Sequence, residues 1–204
     1  MSSAPVKSSP ASVDSGRDIC CRIPLACVVI YCVLAVGGFF VDILSKSYVF
    51  ATYFQPYQVP LQHWWIPGIL GIETTTNPGA LFGVLAGYRG LFAALSLTAL
   101  LGIIAWLFVF GGGRDRWLTI ASGLISAGIL GNLYDRLGFG FQANYPPEIR
   151  YNVRDWIYFR LRGVPWFDPW PNFNIADSML VCGAILLVLH SLFGSRQPKQ
   201  AARR

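Results

Sequence analysis

Four apolar segments dominate this chain, and each approaches the ~20 residues that a helix needs to cross the hydrocarbon core of a bilayer. They run over Leu25–Leu44, Leu91–Phe110, Trp117–Leu137 and Met179–Phe193, the last extended back to Phe173. Inside lipid a chain must satisfy its own backbone N–H and C=O groups, so runs of this length have to be helices. Composition agrees. Of 204 residues 54% are hydrophobic and only 13% charged, where a soluble domain carries about 25% charged residues. The expected architecture is a mainly α membrane protein of four transmembrane helices, forming one domain over residues 23–195.

The connections set the orientation. Residues 1–22 are rich in Ser, Pro and Ala without apolar periodicity and read as a disordered tail. Lys7, Arg17 and Arg22 make that end basic, Arg196, Lys199, Arg203 and Arg204 make 196–204 a basic tail, and GGGRDR (111–116) joins the second and third segments. The positive-inside rule puts both termini and this turn in the cytoplasm. Two long connections, 45–90 and 138–172, then lie outside, although Arg89, Arg150, Arg154, Arg160 and Arg162 oppose the rule there. Both carry the Trp, Tyr and Pro clusters that settle at headgroup level. YQVPLQ and GILGIETTT in the first are β-prone runs bounded by Pro and Gly, which predicts a small sheet on the membrane surface. No basic stripe interleaved with aromatics points to nucleic acid. The cysteines at 20, 21, 27, 32 and 182 have neither disulfide-framework nor zinc spacing. PLAC (24–27) imitates a lipoprotein cleavage site, but its apolar run follows the cysteine instead of preceding it.

Polar residues within or beside the spans are few enough to take singly. Asp42 and Lys46 share a helix face at i, i+4. Spacing alone favours an interfacial ion pair with the lysine snorkelling outward; the sharper reading is a polar strut under a site. In the third span Gly123, Ala127 and Gly131 form a small-xxx-small stripe for close helix approach. Asn132, Asp135 and Arg136 follow near the outer end, where Asp135 and Arg136 could simply neutralise each other. Asn174, Asp177 and Ser178 repeat the i, i+3, i+4 layout at the mouth of the fourth span. Asp177 lies only ~6 Å inward of Phe173 at 1.5 Å per residue, so helix capping is its plain reading. TTTNPGALFGVLAG (74–87) reads as a turn entering a short amphipathic helix.

Hydrolytic chemistry has few options here. The two histidines, His63 and His190, stand at opposite ends of the protein, and neither an H-E-x-x-H motif nor a Gly-rich phosphate loop with a lysine occurs. Carboxylates remain. Two held close share a proton, so that one can deprotonate water while the other donates to a carbonyl. Asp177 would need a partner, either Asp135 or Asp155 in the β-like stretch YNVRDWIYF; Asp168, before Pro169, is a turn residue. Residue chemistry leaves Asp135 and Asp155 nearly even.

Taken together the motifs resemble the bacterial lipoprotein signal peptidases (signal peptidase II), aspartic peptidases of the inner membrane. The carriers are D-x-x-x-K at Asp42 and Lys46, N-x-G-x-x-F-G at Asn77–Gly83, G-N-x-x-D-R at Gly131–Arg136, V-x-D-(aromatic)-I at Val153–Ile157 and F-N-x-A-D-S at Phe173–Ser178. The resemblance implies a catalytic dyad of Asp155 and Asp177, with supporting roles for Asp42, Lys46, Asn77, Gly79, Gly131, Asn132, Arg136 and Asn174. It implies a diacylglyceryl-modified prolipoprotein as substrate, cut before its lipidated cysteine. It also implies no cofactor, a β-cradle in the first outer connection, membrane lipid as surroundings, an active site near the periplasmic face and inhibition by globomycin-type depsipeptides. Three features depart from the pattern: Trp156 replaces an expected Phe or Met, the loop between the two aspartates is longer, and so is the N-terminal tail. A small transporter would also place acids within spans, but it predicts charges near the midplane and often repeated halves. A non-catalytic scaffold would use the same polar residues only to join helices.

Overall fold

A computed structural model describes residues 22–56, 58–79, 88–141 and 145–193. Its helices are α1 (Leu25–Tyr53), α2 (Arg89–Phe108), α3 (Arg116–Arg136) and α4 (Ile175–Phe193). All four are long and apolar enough to cross a membrane. Their outward faces expose Val33, Phe40, Leu95, Leu101, Val181 and Ile185, a surface suited to lipid and not to water. Most of the expected terminal tails, and 80–87 with its amphipathic-helix expectation, lie outside the described residues.

Helix α3 sits at the centre because its residues are small. A side chain at Gly123 would collide with Leu34 of α1, and one at Gly131 with the Asp42 carboxylate. Ala127 meets Gly38 of α1, so the predicted 123/127/131 stripe is the α1 contact. On another face Gly128 admits the Ala176 carbonyl and Leu180 of α4, while Gly183 of α4 admits Ile125 and the Ala121 carbonyl. The second span, by contrast, is exposed along most of its length.

The ends of α1 and α4 differ from expectation. Helix α1 continues nine residues past Leu44, and at 29 residues it is roughly 44 Å long, more than the ~30 Å hydrocarbon core. The overhang persists because Val49 and Phe50 find apolar partners in Ile72 and Trp156 of the sheet. The fourth helix starts at Ile175, since Phe173 is a strand residue paired with Ile157. Between α2 and α3 the GGGRDR turn holds a short 3₁₀ turn, Gly112–Arg114. Asp115 then caps α3, accepting the N–H groups of Trp117 at 2.7 Å and Leu118 at 3.1 Å.

The sheet is antiparallel, in the order β1 (His63–Ile66), β2 (Leu70–Asn77), β3 (Val153–Phe159), β4 (Trp170–Phe173). Only its first half lies in the first outer connection; the second connection supplies the rest. Thr75 pairs with Asp155 and Asn77 with Val153, and Arg160 N–H extends the ladder to the Ile69 carbonyl at 2.8 Å. The stretch expected from YQVPLQ is not a strand in its described residues, 58–62, where Pro60 lacks the N–H a ladder requires. Trp156, the departure at that position, is buried against Val49, Phe50 and Ile72, with its ring edge-on to Trp65.

Candidate active site

Side chains alternate sides along a strand, and β3 uses both. Val153 and Asp155 face a cavity of about 530 Å³; Arg154 and Trp156 turn the other way, toward α1 and α3. The cavity is also lined by Asn77, Gly79, Asn132, Arg136 and Asp177, and it continues past Ser178 along Leu180, Val181 and Cys182 of α4. Leu180 is half-buried against α3 while Val181 and Cys182 are exposed, so the cavity opens sideways from the polar cluster onto the flank of the bundle.

Asn174 and Asp177 close the first turn of α4 reciprocally. The Asn174 Oδ1 accepts the Asp177 N–H at 3.0 Å, and Asp177 Oδ2 accepts the Asn174 N–H at 3.2 Å, an Asn/Asp version of the capping box. The plain capping reading is therefore right for the backbone, yet it leaves Asp177 Oδ1 free to turn into the cavity, where Asn132 Nδ2 donates to it at 2.8 Å. The fully buried Asn174 amide does more. Its Nδ2 donates to Asp155 Oδ1 at 2.6 Å and to Asn132 Oδ1 at 3.2 Å, joining both acids through one side chain.

Beneath this layer, Lys46 is fully buried and does not snorkel, contrary to the reading that spacing favoured. Its Nζ lies 2.7 Å from Asp42 Oδ2 and 3.2 Å from Asp135 Oδ2, and donates to Asn132 Oδ1 at 3.0 Å. Asp42 spends its other oxygen on the Ala176 N–H at 2.8 Å, a free donor of the first turn of α4. Gly131 is required here, because any side chain would strike that carboxylate. Asp42 and Lys46 together thus link α1 to Asn132 of α3 and to the first turn of α4.

The expected Asp135–Arg136 neutralisation does not occur. Adjacent residues on a helix do not face each other. Asp135 points to Arg154, whose Nε and Nη2 lie 2.9 and 2.8 Å from its Oδ1. Arg136 instead reaches the cavity, donating to the Gly79 carbonyl at 3.2 Å and lying over the Phe92 ring. Asn77 organises that carbonyl's turn by accepting the Gly79 N–H at 3.0 Å. Asp135 does not line the cavity, whereas Asp155 and Asp177 both do. Sequence reasoning missed the Arg154–Asp135 pair and the bridge from Asn172 Nδ2 to the Glu73 carbonyl at 2.8 Å, which ties β4 to β2. A signal for the first existed: an arginine inside a buried strand requires a partner.

The electrostatics of Asp155 follow from this placement. Burial disfavours its anion, the neighbouring Asp177 charge disfavours it further, and Lys46, Asn174 and Asn77 oppose both, leaving its pKa raised to about 8. Two such interacting acids take up protons as a unit.

A four-helix bundle whose cleft joins buried acids to an apolar flank defines a small integral membrane enzyme. The comparisons narrow the class. The signal peptidase (SPase) II family matches residues 34–193. The lipoprotein signal peptidase of Rhodopirellula baltica is 48% identical over 165 residues, 81% of this chain and 72% of that one. That of Pseudomonas aeruginosa is 32% identical over 170 residues, 80% of this chain and 88% of its own length. A solved bacterial membrane enzyme superposes with a TM-score of 0.68 at 26% identity, covering 87% of this chain and 96% of the other. The chain belongs to the signal peptidase II family, and is an aspartic-type hydrolase of lipoprotein signal peptides.

Proposed function

We propose that Asp155 and Asp177 form the catalytic dyad of an intramembrane endopeptidase. It removes the signal peptide from diacylglyceryl-modified prolipoproteins on the N-terminal side of the lipidated cysteine. The observation that carries this reading is the convergence of both acids on one cavity, with Asn174 bonded to each. A dyad that shares one proton must hold it more tightly than a free carboxylate does, and burial beside the Asp177 charge raises Asp155 in that direction. The ionised partner takes a proton from water; the resulting hydroxide attacks the scissile carbonyl while the protonated acid donates to its oxygen. Asn132 and Asn174 hold the carboxyls in register, Lys46 and Asp42 anchor Asn132 and the head of α4, and Arg136 with Gly79 offers donors and an edge to an extended peptide. The apolar flank at Leu180 and Val181 suits a signal helix or acyl chains. The basic GGGRDR turn at the opposite end of the bundle supports a site at the periplasmic face of the inner membrane, with both termini cytoplasmic.

A transporter reading predicts acids near the midplane; here Asp177 stands in the first turn of α4 and Asn132 near the end of α3. The deciding experiment is processing of a lipidated prolipoprotein by Asp155→Asn and Asp177→Asn, with insertion and accumulation measured alongside. Each variant is expected to accumulate normally and to leave the precursor uncut. Cleavage retained by either would overturn the dyad.

A further inference from the structure

Arg154 is the largest fully buried side chain of the described residues, and no step outlined above uses it. It shares the strand with Asp155 but projects from the opposite side, beside the rings of Phe50 and Phe141, each 5.9 Å from the guanidinium. Burying an unpaired guanidinium is costly, so its partners define its role. Its Nη1 donates to Ser47 Oγ at 3.3 Å. Asp135 is the principal partner: Oδ1 accepts from Nε and lies 2.8 Å from Nη2 as an ion pair, while Oδ2 accepts the backbone N–H of the same residue at 3.1 Å. One carboxylate on α3 thus grips side chain and main chain of the residue immediately preceding Asp155. No side chain at position 140 except hydrogen fits beside this grip, because a Cβ at Gly140 would strike both Asp135 and Arg154.

Charge makes a second connection. Asp42, Asp135, Lys46 and Arg154 form a buried group of two acids and two bases whose formal charges cancel, and in which Lys46 bridges the acids. Lys46 is also the cation that acts on Asp155 and that holds Asn132 under Asp177. Without Arg154, Asp135 would draw on Lys46 alone, and the group would turn net negative beneath the dyad. The charged groups acting on Asp155 from the packed elements are Asp177 of α4, Lys46 of α1 and Arg136 of α3, with Asp42 and Asp135 behind the lysine and Arg154 on the strand itself.

We infer that Arg154 is a positioning residue for the peptidase reaction. By clamping β3 to Asp135 it fixes Asp155 against Asn174 and Asp177, and it keeps the Lys46 charge available to the dyad. The inference rests on the dyad reading above. Two substitutions separate its parts in the full-length purified enzyme acting on a diacylglyceryl prolipoprotein. Arg154→Lys keeps the charge but loses the fork, so kcat is expected to fall about 10- to 100-fold with KM little changed, and the pH profile should stay in place. Arg154→Gln removes the charge, and the pH profile should move upward by on the order of one unit, the effect of a unit charge roughly 10 Å away at an effective dielectric constant near 20. Asp135→Asn combined with Arg154→Gln restores neutrality and should return the profile toward that of the parent. If the single Gln variant does not fold, the Lys variant and the neutral double variant still decide the matter. Parental kcat in Arg154→Lys, or a profile in the double variant displaced as far as one unbalanced charge would move it, would overturn the inference. Asp155→Asn and Asp177→Asn run in parallel: cleavage there sinks the dyad itself, whereas silent dyad variants with unaffected Arg154 variants sink only this proposal.

Discussion

Two aspartates stand at two helix N-termini in this molecule, and only one of them faces a cavity. Asp115 caps α3 with bonds from Trp117 and Leu118 and meets His190 of α4 at 2.9 Å. Burial pushes its carboxyl up, but the Leu118, His190 and Trp117 bonds outweigh that and hold it below the usual carboxylate range. It stays ionised and spends its oxygens on structure. Asp177, in the first turn of α4, gives one oxygen to the cap and turns the other toward Asn132 and a second acid. Residue type and helix position are nearly the same. The surroundings differ: water and a histidine at one end, a buried polar network and a like charge at the other. A cap becomes chemically useful when its second oxygen has no backbone to serve.

The comparison can be broken by making matched changes. Asp177→Ala should have the largest effect, a loss of processing of about 10³-fold or more, measured as precursor remaining in a cleavage assay. Asn174→Ser would sharpen it. Serine keeps a capping acceptor for the Asp177 N–H but removes the amide donors to Asp155 and Asn132. Thermal stability in detergent should then change little while kcat falls about 10- to 100-fold; an equal loss in both would return Asn174 to the rank of an ordinary cap. The smallest effect is expected at the other end. Asp115→Ala should cost about 1 kcal/mol of stability and leave cleavage of a lipidated substrate unchanged. The Asp115 contribution, present above its unfolded pKa, should fade as pH falls through its lowered folded value.

What the residues foretold, and what they did not, divides along sequence distance. The four spans and the 123/127/131 stripe follow from local periodicity, because each residue's environment is set by its own helix. The Asn174–Asp177 turn was readable for the same reason. The burial of Lys46 is not legible locally, because it depends on Asp135 and Asn132, more than eighty residues away, and spacing within α1 reports only Asp42. Proximity in the chain suggests the adjacent Arg136 as partner for Asp135, whereas its true partner arrives on a strand whose register is set by β2. The length of α1 escaped for a related reason: an apolar pattern marks where lipid ends, and the overhang is held by the sheet packed against it. Between Asp135 and Asp155 as partner for Asp177, residue chemistry alone could not choose, since only the three-dimensional path puts one in the cavity and the other behind it.

The sideways opening of the cavity along Leu180, Val181 and Cys182 changes what concentration means for this protein. A substrate arriving by that flank is already dissolved in the bilayer, so encounters occur by diffusion in a plane. Turnover should then follow the substrate's mole fraction among the lipids and not its amount per volume of buffer. Adding inert lipid or detergent at fixed enzyme and substrate would slow the reaction by dilution alone, as though the vessel had been enlarged.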